Sequence, residues 1–169
     1  MLSEIGRLAQ HRFHAGPDAR LCWHQQGEDC QGVGDTQPLF TLSAVLDLTR
    51  AWQTGGSRPW IGQTSVSHDG VDAARPDILS NNQTSWLKTT VKGPARISFW
   101  WETSSEAGVQ LKFFVDKTLK ATRSGLGGWQ RKSFVIGPGT HIVKWEFKRD
   151  ASGSAGLNTG LVDQVMITK

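Results

Sequence analysis

Apolar and polar side chains alternate with a period of two over much of the second half of the chain. In Arg96-Ile97-Ser98-Phe99-Trp100-Trp101-Glu102-Thr103, the set Ile97, Phe99 and Trp101 faces one way and Arg96, Ser98, Trp100 and Glu102 the other, because successive side chains of a strand leave opposite faces. Leu111, Phe113 and Val115 oppose Lys112, Phe114 and Asp116 in the same manner, and Val143, Trp145 and Phe147 oppose Ile142, Lys144, Glu146 and Lys148. The alternation predicts strands near residues 62–68, 85–92, 95–104, 109–116, 118–123, 129–136, 140–149 and 160–168. Turn chemistry separates them at Lys92-Gly93-Pro94, Ser124 through Gly128, Gly137-Pro138-Gly139 and Ala151 through Gly160. Short, evenly spaced strands without helical periodicity between them imply an all-β fold. Two packed antiparallel sheets, a sandwich or jelly roll, are favoured over a parallel α/β sheet.

The first forty residues lack this pattern. Residues 3–13 suit a short amphipathic helix capped by Ser3, and residues 14–38 are rich in Gly, Asp, Gln and Pro. An irregular N-terminal arm over 1–40 is therefore expected ahead of a β-sandwich domain over 41–169. The apolar run from Phe40 to Leu48 fits a strand or a helical turn equally well.

Composition agrees with one soluble globular domain: 169 residues, 37% hydrophobic and 20% charged, which excludes a collagen-like or wholly disordered chain. The 19 Gly and 8 Trp against no Tyr point to tight turns and large buried indoles. The net charge of +4 is uneven, since residues 88–149 carry 12 Lys/Arg against 4 Asp/Glu. Such a segment can steer towards nucleic acid, an anionic glycan or an acidic surface. Its lysines alternate with apolar residues, as on the solvent face of strands, and no basic helix or RNP-like motif is present, so nucleic acid is disfavoured as a partner. Cys22 and Cys30, with His11, His14 and His24 nearby, could hold zinc, form a local disulfide or be unrelated thiols; a paired C-x-x-C knuckle is missing. The opening Met1-Leu2-Ser3-Glu4-Ile5-Gly6-Arg7 has no apolar signal-peptide core, so a cytoplasmic location is expected for the chain as written. No apolar run reaches membrane-spanning length, so membrane insertion is not expected.

Two departures from the alternation carry the candidate chemistry. Trp86, Trp100 and Phe114 are aromatics at polar-face positions, with Glu102 beside Trp100. An indole on an exposed sheet face can stack the apolar face of a sugar ring while polar neighbours meet its hydroxyls. Equally, residues 1–58 or long loops could cover these rings. Asp163 is the converse, a carboxylate aligned with Leu161, Val165 and Ile167 on the apolar side. Burying it is costly unless a cation or several donors satisfy it. A calcium ion shared with Asp69 and Asp72 of His68-Asp69-Gly70-Val71-Asp72 would do so, as would backbone N–H groups or an arginine. Catalysis is disfavoured: Ser104, Ser105 and Glu106 with His68 or His141 lack a nucleophile elbow, and the carboxylates fall mostly in turns.

An ordered set of motifs runs from about Ala44 to Thr168: Trp52 through Trp60, Gly62-Gln63-Thr64, His68 through Ala74, Ser85-Trp86-Leu87-Lys88-Thr89, Gly93-Pro94, Ser98 through Trp101, Ser104-Ser105-Glu106 and Val162-Asp163-Gln164-Val165. This set resembles the jelly-roll β-sandwich modules, loosely MAM-like and concanavalin-like, of bacterial surface and secreted multidomain proteins. The resemblance implies a non-catalytic module that binds glycans or protein partners, extracellular or at the cell surface. The sequence has Asp116-Lys117 where such modules tend to have an Asp-Gly turn, and Asn158-Thr159 where an acidic residue is common.

Overall fold

The computed structural model describes residues 40–105, 108–151 and 157–169. The expected arm helix, Cys22, Cys30 and the histidines around them lie outside the described residues. Phe40 to Leu48 contains a single helical turn, α1 (Leu42–Val45), whose N-cap Thr41 accepts from the Ala44 N–H through Oγ1 at 3.2 Å. Eight strands follow: β1 (Gln53–Gly56), β2 (Trp60–Gln63), β3 (Ala73–Pro76), β4 (Thr84–Ser104), β5 (Gln110–Val115), β6 (Thr118–Arg123), β7 (Leu126–Lys148) and β8 (Thr159–Thr168). Their pairings are antiparallel in the order β2-β3-β8-β4-β7-β5-β6, with β1 also beside β4. Among the described residues no helix is long and apolar enough to cross a membrane.

The predicted turns at Lys92-Gly93-Pro94 and Gly137-Pro138-Gly139 are not turns between strands. β4 and β7 run through them for 21 and 23 residues. Gly93 and Gly139 are register partners, and the ladder resumes past an irregularity at Ala95 opposite Ile136. The two strands therefore bend together and keep their hydrogen bonds. Glycine is required on both sides of this corner: a side chain on Gly93 would collide with the Gly137 carbonyl oxygen, and Gly139 has φ +111°.

The shared corner folds one continuous sheet into two layers. The first contains β1, residues 84–92 of β4, residues 140–148 of β7, β5 and β6; the second contains β2, β3, β8, residues 95–104 of β4 and residues 126–136 of β7. Their inner faces meet in an aromatic core. Phe99 of the second layer lies 5.0 Å from Trp145 and 4.8 Å from Phe113 of the first, and Phe113 lies 4.9 Å from Phe134. Ile97, Phe99, Trp101, Leu111, Phe113, Val143, Trp145 and Phe147 are all buried, as the alternation predicts.

Two predicted features differ. The strand expected over 62–68 stops at Gln63, whose Oε1 accepts from the Ser65 and Val66 N–H groups at 2.8 and 3.0 Å and turns the chain into a loop over 64–72. Asp163 does not share a face with Val165 and Ile167. Between Ser98 and Trp100 on β4 lies one residue, and between their partners Met166 and Asp163 lie two, so β8 carries a β-bulge with Gln164 at φ +48°. The bulge keeps Val162 opposite Trp101 and Ile167 opposite Ile97 on the core side, and turns Asp163 outward beside Trp100. The Val165 N–H, displaced from the ladder, donates to the Leu46 carbonyl at 2.9 Å and ties the end of α1 to the bulge. In the β5–β6 hairpin Asp116 itself takes φ +56°, the turn conformation that an Asp-Gly pair usually supplies.

Candidate functional site

Trp86 and Trp100 occupy outward positions of one strand, yet the corner at Gly93 lies between them. Because the inward side chains of the two layers face each other, the two indoles emerge on the opposite outer surfaces of the sandwich. The four aromatic-face candidates divide accordingly: Trp86 and Phe114 belong to the first layer, Trp100 and Glu102 to the second.

On the second layer, Trp100 is half-buried under the molecule's own loop. The His68 imidazole stacks on it at 3.7 Å with an interplanar angle of 16°, and Trp129 meets His68 edge-on at 5.9 Å. His68 Nδ1 donates to Gln164 Oε1 at 2.7 Å, and its backbone N–H donates to Asp163 Oδ2 at 2.7 Å. The bulge residues thus position the histidine that occupies one face of the indole. Burial raises the Glu102 carboxyl above its ordinary range, an effect that the Arg123 charge opposes.

Below that loop Asp47, Asp69 and Asp163 each bring a carboxylate oxygen to within 4.8 Å of the others. Asp163 has no solvent exposure, and its Oδ1 is buried without a close hydrogen-bond partner among the described residues. Burial pushes the Asp163 carboxyl up and the Asp69 charge adds to this, while the backbone N–H groups of His68, Gln164 and Asp69 pull it down. Burial and then Asp69 raise Asp47, and burial followed by Asp47 and Asp69 raises Asp72. An orphaned buried oxygen between two further carboxylates suits a hard cation that takes oxygen ligands, calcium above all. Asp69 and Asp163, expected together, are brought together. Asp72 feels the charges of Asp47 and Asp69 and contributes no oxygen to the cluster. Asp47 has no signal in the sequence, because only the tie from Leu46 to the bulge carries it there.

On the first layer, the outward residues form rows fixed by register: Trp86–Glu146–Lys112, Lys88–Lys144–Phe114 and Thr90–Ile142. Trp86 lies over Gly55 of β1, its register partner, where a Cβ would come within 2.5 Å of the ring. The missing side chain lets the six-membered ring of the indole come close to the β1 backbone. Lys88 Nζ stands 4.7 Å from the ring centroid of Trp86, and Lys144 Nζ stands 4.5 Å from that of Phe114 while pairing with Glu146 at 2.7 Å. Beside β1 opens a cavity of about 490 Å³ lined by residues that include Arg50, Lys88, Thr90 and Lys92. A half-buried aromatic ring flanked by polar groups that both donate and accept is chemically suited to a polyhydroxylated ring. Gly55, Lys88, Glu146 and Arg50 were not singled out from the sequence, since strand register alone places them around Trp86.

No protein-family model matches the sequence, and no curated protein does. Solved structures do match. A carbohydrate-binding module of family 61, solved in complex with β-1,4-galactotriose, superposes with a TM-score of 0.53 at 16% identity, covering 70% of this chain and 88% of its own. The K3 cleaved adhesin domain of Lys-gingipain from Porphyromonas gingivalis gives 0.53 at 15% identity over 70% of this chain and 91% of its own. The secreted serine protease VesC from Vibrio cholerae gives 0.53 at 13% identity over 75% of this chain but 25% of its own. At these identities the likeness is one of fold. The chain has the jelly-roll β-sandwich fold that the alternation and the ordered motifs imply.

Proposed function

We propose that the chain is a non-catalytic module that binds carbohydrate on the outer face of its first layer. The observation that carries this reading is Trp86, an outward indole packed against Gly55 and bordered by Lys88, Glu146 and Lys112. A pyranose stacked on the indole would present its hydroxyls to that ammonium and carboxylate pair, and Phe114 lies one row further along the face. The fold shared with a galactotriose-binding module supports the reading at the level of the scaffold. Trp100 is the weaker platform, because the stacked His68 ring is tied down through Gln164 and Asp163, whereas the Lys88 ammonium over Trp86 sits on a flexible four-carbon stem that a ligand can displace. Glu102 goes with Trp100 and has no part in the site proposed here.

Asp47, Asp69 and Asp163 would hold a calcium ion beneath the 64–72 loop, with backbone or water oxygens completing the shell. Its role would be to neutralise the buried carboxylate and pin the loop that carries His68 onto Trp100.

Calorimetric titration of the intact chain with a panel of soluble oligosaccharides, β-1,4-galactan among them, tests the carbohydrate site. Trp86→Ala is expected to weaken a binding glycan by at least about tenfold, as for a central aromatic anchor. Gly55→Val, which drives a side chain into the indole, is expected to lower affinity in the same direction with the fold intact by circular dichroism. Unchanged affinity in both variants, with Trp100→Ala abolishing binding, would move the site to the second layer.

A further inference from the structure

We propose that the ligand of the Trp86 face is a glycan containing uronic acid residues, whose carboxylates seat in the cavity lined by Arg50, Lys88 and Lys92. The inference rests on the carbohydrate reading above and names its substrate class. The cavity has about 490 Å³, and its lining among the described residues contains those three cations and no carboxylate. Arg50 is held at its rim, Nη1 donating to the Thr90 carbonyl at 3.1 Å. A guanidinium fixed in this way still has further N–H donors, which suit the two oxygens of a carboxylate.

Lys88 belongs to both features. It stands over the Trp86 ring and also lines the cavity, so platform and cationic pocket are continuous. A uronate matches this juxtaposition: its ring keeps an apolar face for the indole, and its carboxylate projects from the ring edge. Charge on the rest of the face has the same sign. At outward positions of β4, β7 and β5, the five lysines Lys88, Lys92, Lys112, Lys144 and Lys148 stand against Glu146 alone. The Glu146 charge is met by Lys144 at 2.7 Å, and among the described residues no carboxylate pairs with the cavity cations. A neutral glycan would not require such a field, and an acidic one gains from it in affinity and encounter rate.

Titration of the full chain separates the possibilities. The probes are an oligogalacturonate, the same oligomer with its carboxyls methyl-esterified, a neutral β-1,4-galactan oligosaccharide and a single-stranded DNA oligonucleotide, each at low and high salt. The acid form is expected to bind about tenfold or more tightly than its ester. That gap should close at high salt, and it should also close in the Arg50→Gln/Lys92→Gln double variant at unchanged melting temperature. Equal affinity for acid and ester overturns the uronate proposal and leaves the carbohydrate reading standing. Failure of all the glycans overturns both. DNA bound as tightly as the uronate, and unaffected by Trp86→Ala, overturns the proposal in favour of a bare polyanion surface.

Discussion

Phe99→Ala is expected to remove about 3–5 kcal/mol from the free energy of unfolding, the range for truncating a buried aromatic side chain. Phe99 has no solvent exposure and contacts rings from both layers, Trp145 and Phe113 across the core and Trp101 and Phe134 within its own. Deleting its ring opens a cavity where the layers meet, and neighbours held by two separate ladders cannot both collapse into it. Against a total of roughly 5–15 kcal/mol for a domain, the loss leaves the protein marginal or unfolded. Ile142→Ala is the matched control. Ile142 is one residue from buried Val143 but 45% exposed, and its truncation should shift stability by within about 0.5 kcal/mol. Denaturant midpoints give both values, and comparable losses in the two variants would contradict the assignment of faces.

Calcium is expected to raise the melting temperature on the order of 10 °C. Saturation a hundredfold above the dissociation constant contributes about 2.7 kcal/mol, which converts to such a shift for a domain of this size. Asp163→Asn should abolish the shift and make the chelated protein more stable than the chelated wild type, because a buried charge without a partner for Oδ1 is removed. The pH dependence follows from the direction in which the carboxyls move. Asp47, Asp72 and Asp163 all lie above their ordinary values, so the folded chain binds protons more readily than the unfolded one. Without cation, the contribution of these three groups to stability therefore rises as pH falls from neutral through the carboxylate range, and their penalty is fully present above it. Asp116 runs the opposite way, since its hydrogen bond from His141 lowers its carboxyl, and Asp116→Asn removes that contribution. With calcium present, protons compete with the ion and the contribution of the cluster reverses. A melting temperature indifferent to calcium and chelator at neutral pH would remove the cation site.

How far each of these sites could be anticipated differs. The core of the Phe99 prediction is legible from alternation, because inward and outward are decided residue by residue wherever a strand is half-buried. The cation site is legible only in part. Asp163 stands out as a charge in an apolar run, and Asp69 belongs to an oxygen-rich stretch. The bulge at Gln164 cannot be seen in a period-two pattern, so Asp163 reads as inward when it is outward and buried by a loop. Asp47 is invisible, since the hydrogen bond from the Val165 N–H to the Leu46 carbonyl joins segments more than a hundred residues apart in the chain. The glycines of the corner carry a further ambiguity. Gly-Pro-Gly marks a turn in most chains, and here it marks a bend because a second glycine-proline pair lies opposite it and the two strands turn as one.

The sequence alone determined the class of fold and the facing of most strand residues, since alternation and turn chemistry are local and act within a few residues of each position. Tertiary structure decided which outward residues share a surface. Trp86 and Trp100 have equal standing in the sequence, as aromatics on the polar side of one strand. A corner between them sends one to an open face beside Gly55 and three cations, and the other under His68. Register, bulges and corners arise from pairing between distant segments, so the ligand surface and the carboxylate cluster exist only once those segments have met.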